Sequence, residues 1–93
     1  MVRRHAEEHG QAVVAGDLRR AGSDLDGEAL AQAGDVMRQL PSPMRAAEVE
    51  AVEGGVGGFT VRTRYSGDET SAVVESQWEE REGRPKIVSM TVV

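Results

Sequence analysis

Residues 57–93, GGFTVRTRYSGDETSAVVESQWEEREGRPKIVSMTVV, decide the fold. Phe59, Val61, Thr63 and Tyr65 alternate with Thr60, Arg62 and Arg64. Ser66-Gly-Asp-Glu69 has turn chemistry. Thr70 to Glu82 then runs back, with Ala72, Val74, Ser76 and Trp78 on one face and Val73, Glu75, Gln77 and Glu79 on the other. Gly83-Arg-Pro85 breaks this run, and Lys86 to Val93 returns. Alternation with period two marks strands buried on one face, so the segment reads as three antiparallel strands that need a cover.

Register follows from loop length. A four-residue loop at Ser66–Glu69 pairs Tyr65 with Thr70, Thr63 with Ala72, Val61 with Val74 and Phe59 with Ser76. A three-residue loop at Gly83–Pro85 pairs Trp78 with Met90 and Ser76 with Val92. A one-residue slip would turn the whole apolar set to the other face. The odd loop is therefore expected, with a Trp78–Met90 contact and with Ile87 and Val93 on the outer face.

Upstream, Val2–Ala15 reads as a helix, with Val2, Ala6, His9 and Val13 at helical spacing and Gly16 as a left-handed stop. Asp17 is placed to cap a short helix, Leu18–Ala21. Asp24 or Asp26 is expected to cap a third helix reaching about Leu40, with Leu30, Ala33, Met37 and Leu40 as its apolar stripe and Ala29 and Val36 beside it. Pro41-Ser-Pro43 ends that helix. Met44–Glu53 is expected to be a strand, and Gly54-Gly-Val-Gly-Gly58 a hairpin connection. The glycine run is no phosphate loop, since it fits neither G-x-G-x-x-G nor a Lys-Ser/Thr helix start. Three helices followed by four antiparallel strands is an α+β pattern.

Ninety-three residues allow one domain, residues 1–93, with one small core. Phe59, Tyr65 and Trp78 are its 3% of aromatic residues, so the core must be aliphatic. The absence of cysteine excludes disulfides, thiolate metal sites and a cysteine nucleophile. A net charge of −5 argues against nucleic-acid or anionic-membrane binding. No apolar run is long enough for a membrane span and no signal-peptide core follows Met1, so a cytoplasmic protein is expected.

The opening HAEEHGQAVVAGDLRRAGSDL, with a first helix ending in Ala15-Gly16-Asp17-Leu18 and a short second helix, resembles the nuclear transport factor 2-like superfamily. The long Trp-bearing strand and the C-terminal last strand are similar too. The resemblance implies a cystatin-like cone: a curved sheet wrapping a helix, an apolar cavity between them, and dimers through the open sheet face. One departure is plain. Gly22–Gly27 is too short for the strand pair that members of that superfamily carry between the second and third helices.

Several residues carry candidate chemistry. His5-Ala-Glu-Glu-His9 matches H-x-x-E-H, and two histidines four apart share a helical face that could hold a metal, with Glu75, Glu79 or Glu80 as a distant third ligand. The simpler expectation is no metal and no cofactor, with one histidine at the buried edge of the helix and one in solvent. For ligand binding, the inward set is His9, Thr63, Tyr65, Ser76, Trp78 and Met90. For catalysis it is His9, Tyr65 or Glu80, because a His or carboxylate held in an apolar pocket can serve as acid or base. Asp17, Asp24 and Asp26 read as helix caps. The leading functional expectation is a non-catalytic module for dimerisation or for binding a small apolar ligand. The alternative is a cofactor-independent isomerase, dehydratase or cyclase.

Overall fold

A computed structural model describes residues 2–55 and 57–93. Three helices, α1 (Val2–Ala15), α2 (Leu18–Ser23) and α3 (Glu28–Arg38), precede four strands, β1 (Ala46–Gly55), β2 (Gly58–Ser66), β3 (Ser71–Arg81) and β4 (Arg84–Val92). The strands form one antiparallel meander in the order β1-β2-β3-β4. The fold class is therefore α+β, with the helices over one face of a curved sheet.

The local signals act as expected at the helix ends. Gly16 terminates α1 at φ +76°, a conformation costly for any residue with a Cβ. Asp17 Oδ1 accepts the Arg20 amide at 3.1 Å and so caps α2, which runs two residues further than expected, to Ser23. α1 buries Ala6, His9, Gly10, Ala12 and Val13. Helix α3 is rotated relative to its expected stripe. Ala29, Val36 and, beyond the helix, Leu40 are buried, whereas Leu30 is 58% exposed. Partly buried Gln32 explains part of this: its Oε1 accepts the Met90 amide at 2.7 Å, so α3 turns a polar residue inward to satisfy β4.

The β2–β3 pairing keeps the expected faces but shifts by two residues. Thr63 faces Val74, Val61 faces Ser76 and Phe59 faces Trp78, because the loop is Gly67–Thr70 rather than Ser66–Glu69. The β3–β4 turn corrects a larger expectation. Arg81 pairs with Arg84 across a two-residue turn, Glu82-Gly83, both at positive φ (55° and 84°). This is the primed-turn geometry that suits hairpin twist. Trp78 consequently faces Ile87, not Met90, and Met90 faces Ser76. Val88 is an extra residue opposite the Gln77–Trp78 step. This bulge reverses the alternation, so Ile87 (1% exposed) and Met90 both reach the helical side. Ile87 is thus a core residue rather than an outer-face one. A second bulge at Glu50 does the same for β1, sending both Val49 and Val52 inward. Most of the expected glycine connection is strand: Gly55 pairs with Gly58, and residue 56 lies outside the described residues.

Each edge of the sheet is covered in part. Over β1, Arg3 donates to the Val49 carbonyl (3.3 Å) and Gln11 to the Ala47 carbonyl (3.4 Å). Beside β4, the Ile87 amide donates to the Asp24 carbonyl (2.7 Å) and the Asp26 amide to the Ile87 carbonyl (2.8 Å). The segment between α2 and α3 therefore runs along β4 and covers unpaired backbone groups that would otherwise template aggregation.

Candidate functional site

The buried side chains form two clusters. One holds Val13, Ala21, Val36, Leu40, Tyr65 and Val74 among others; the second holds Ala6, Ala29, Val49, Val61, Trp78 and Ile87, and Met90 packs against both. Members of both line a cavity of about 300 Å³ between the helices and the sheet. The exposed members of that lining, Leu18, Gly34 and Met37, all come from α2 and α3, which puts the mouth between those helices. Small residues there keep the space open. A Cβ on Gly22 would meet nothing within 4 Å.

All six residues expected to face a ligand, His9, Thr63, Tyr65, Ser76, Trp78 and Met90, line this cavity. Trp78 is 1% exposed, and its Nε1–H donates to Ser76 Oγ at 2.9 Å, so the indole edge is satisfied inside the core. His9 meets Trp78 edge to face, with ring centroids 6.1 Å apart. Burial pushes the Tyr65 phenol up to about 12, from an ordinary value of 10. Glu80 is elsewhere. It is exposed near the end of β3, opposite Pro85, and does not line the cavity.

Asp24 is the residue that sequence reasoning missed. It is no helix cap. Its carboxylate is fully buried and accepts from His9 Nδ1 (3.0 Å) on one oxygen and from Arg84 Nη2 (2.6 Å) on the other. Arg20 Nε adds a longer contact at 3.8 Å. Asp26 does not cap α3 either: Gly27 is the N-cap residue and no side chain bonds the first turn, while Asp26 Oδ1 accepts only the adjacent Gly27 amide at 2.8 Å. With both Asp24 oxygens accepting, His9 Nδ1 carries the proton. In the neutral form of the ring the lone pair then lies on Nε2, where it can accept a hydrogen bond or a proton. One signal for Asp24 was available in the sequence: two acids two residues apart before one helix leave one of them without a capping role.

The metal reading finds no further ligand. His5 and His9 are one turn apart, but among the described residues no three His, Asp or Glu side chains converge for a metal ion. His5 Nδ1 is buried without a hydrogen-bond partner. No described helix is long and apolar enough to cross a membrane.

Comparison with protein-family models, with curated proteins and with solved structures finds no match. The functional reading therefore rests on the site itself.

Proposed function

We propose that this domain binds a small, predominantly apolar molecule between its helices and its sheet. The observation that carries the proposal is the cavity of about 300 Å³, walled by aliphatic side chains and Trp78 and furnished with a few buried polar groups. That combination is typical of small-molecule sites, whereas a domain serving only to associate has no need of unfilled core. The resemblance to nuclear transport factor 2-like proteins is part of this proposal, supported by the curved sheet, the helical cover and the space between them.

A second reading is a cofactor-independent isomerase, dehydratase or cyclase, favoured by the His9–Asp24 pair. Asp24 would orient the imidazole and stabilise it when Nε2 takes a proton from a bound carbon acid or hydroxyl.

Trp78 is the single tryptophan and lines the cavity, so its emission reports occupancy. A panel of uncharged hydrophobes should include compounds that shift Trp78 emission. A ligand present at a hundred times its Kd should stabilise the fold by about 2.7 kcal/mol. Ala33→Phe, which fills the mouth, should abolish both effects while leaving the circular dichroism unchanged. If no hydrophobe of cavity size changes emission or thermal midpoint, the binding reading is wrong. For a ligand that is also turned over, His9→Gln should remove turnover and keep binding.

A further inference from the structure

We infer that the cavity selects a compact, uncharged compound of roughly a dozen heavy atoms that carries one hydroxyl or carbonyl oxygen, held by His9 or by Tyr65. This rests on the binding reading above and specifies its ligand class.

Size comes first. An apolar cavity of about 150 Å³ holds benzene. The space here, about 300 Å³, is twice that and suits a bicyclic compound.

Polar groups come second. The Ser76 hydroxyl is already engaged by Trp78 Nε1 and lies 3.4 Å from the Val61 carbonyl. His9 Nδ1 is engaged by Asp24. Among the described residues, neither His9 Nε2 nor the Tyr65 hydroxyl takes up a protein hydrogen bond, and neither is sealed from the cavity. Both residues line the cavity, and the Tyr65 hydroxyl reaches towards α1, 3.9 Å from where a Cβ on Gly10 would stand. Nε2 of the neutral ring accepts and the phenol both donates and accepts, so a ligand hydroxyl can pair with either and a carbonyl with the phenol.

Charge comes third. The full charges beside His9 are mutually paired: Asp24 with Arg84 at 2.6 Å, and Arg20 with both Asp24 (3.8 Å) and Glu8 (3.3 Å). The wall is also poor at holding an anion, as the raised proton affinity of Tyr65 shows. A charged ligand would lose its hydration with nothing in return.

Calorimetric titration of the intact chain with naphthalene, naphthol and naphthoate tests this. Naphthol should bind about threefold to tenfold tighter than naphthalene, the return on one or two net hydrogen bonds. Naphthoate should bind at least about tenfold more weakly than naphthol. Tyr65→Phe keeps the ring and should erase most of the naphthol preference while leaving naphthalene affinity within about twofold. His9→Gln should reduce the same preference by an independent route. Equal affinity for naphthol and naphthalene would overturn the oxygen-selective class while sparing the cavity reading. Tightest binding by naphthoate would overturn the uncharged class in the same way. Failure of all three to bind would remove this inference together with the binding reading.

Discussion

Asp24→Asn is the substitution that best separates this structure from one in which Asp24 merely caps a helix. The carboxylate has no solvent exposure and receives two hydrogen bonds, at 2.6 Å from Arg84 and 3.0 Å from His9. Asparagine keeps the shape but removes the charge that answers Arg84 and replaces one acceptor oxygen with an NH2 donor, which His9 Nδ1 can meet only by moving its own proton to Nε2. Losing a neutral hydrogen bond costs about 0.5–1.5 kcal/mol, and breaking a fully buried ion pair about 3–5 kcal/mol. The case here lies between them. The Arg84 and Arg20 side chains are 40% and 41% exposed and can turn to water, whereas His9 cannot. The expected loss is about 2–4 kcal/mol, a large part of the stability of a domain this small. With a urea slope near 1 kcal/mol per molar, the unfolding midpoint should fall by about 2 M or more, read from Trp78 emission and far-ultraviolet circular dichroism. Arg45→Ala is the control. It breaks an Arg45–Asp68 pair whose side chains are 61% and 62% exposed, and it should cost no more than about 1 kcal/mol. If Asp24→Asn lies within about 0.5 kcal/mol of the parent protein, the buried network contributes nothing and the reasoning fails.

Two other outcomes are expected. Tyr65 is the single tyrosine, so a spectroscopic titration follows it alone. Its folded phenol holds its proton up to about 12 while the unfolded chain releases it near 10, so stability is intact below pH 10 and declines between pH 10 and 12, by about 3 kcal/mol; phenolate absorbance rising fully by pH 10 without unfolding would contradict this. Gly22→Ala adds a methyl group into open space within α2 and removes a helix penalty, so it should raise stability by about 0.5–1 kcal/mol in denaturant melts; a loss would mean that α2 needs the glycine.

What could be read from residues alone was whatever short-range chemistry controls. The bounds of α1, the stop at Gly16, the cap at Asp17 and the inward faces of β2 and β3 follow from periodicity and from groups within four residues of one another. The same alternation brought Thr63, Tyr65, Ser76 and Trp78 to one wall of the cavity. Tertiary structure decided the rest, because it depends on partners far apart in the chain. The bulges at Glu50 and Val88 each insert one residue and reverse the alternation beyond them, which no two-residue pattern encodes; the two-residue turn sets Ile87 opposite Trp78, and the Val88 bulge lets Met90 share its face. Helix α3 rotated to bring Gln32 to the Met90 amide, 58 positions away. Asp24 and Arg84 lie 60 positions apart, and no local spacing links them to each other or to His9. Only the packing of the α2–α3 segment against both α1 and β4 removes Asp24 from water, and that removal turns an acid resembling a helix cap into the group that orients the imidazole.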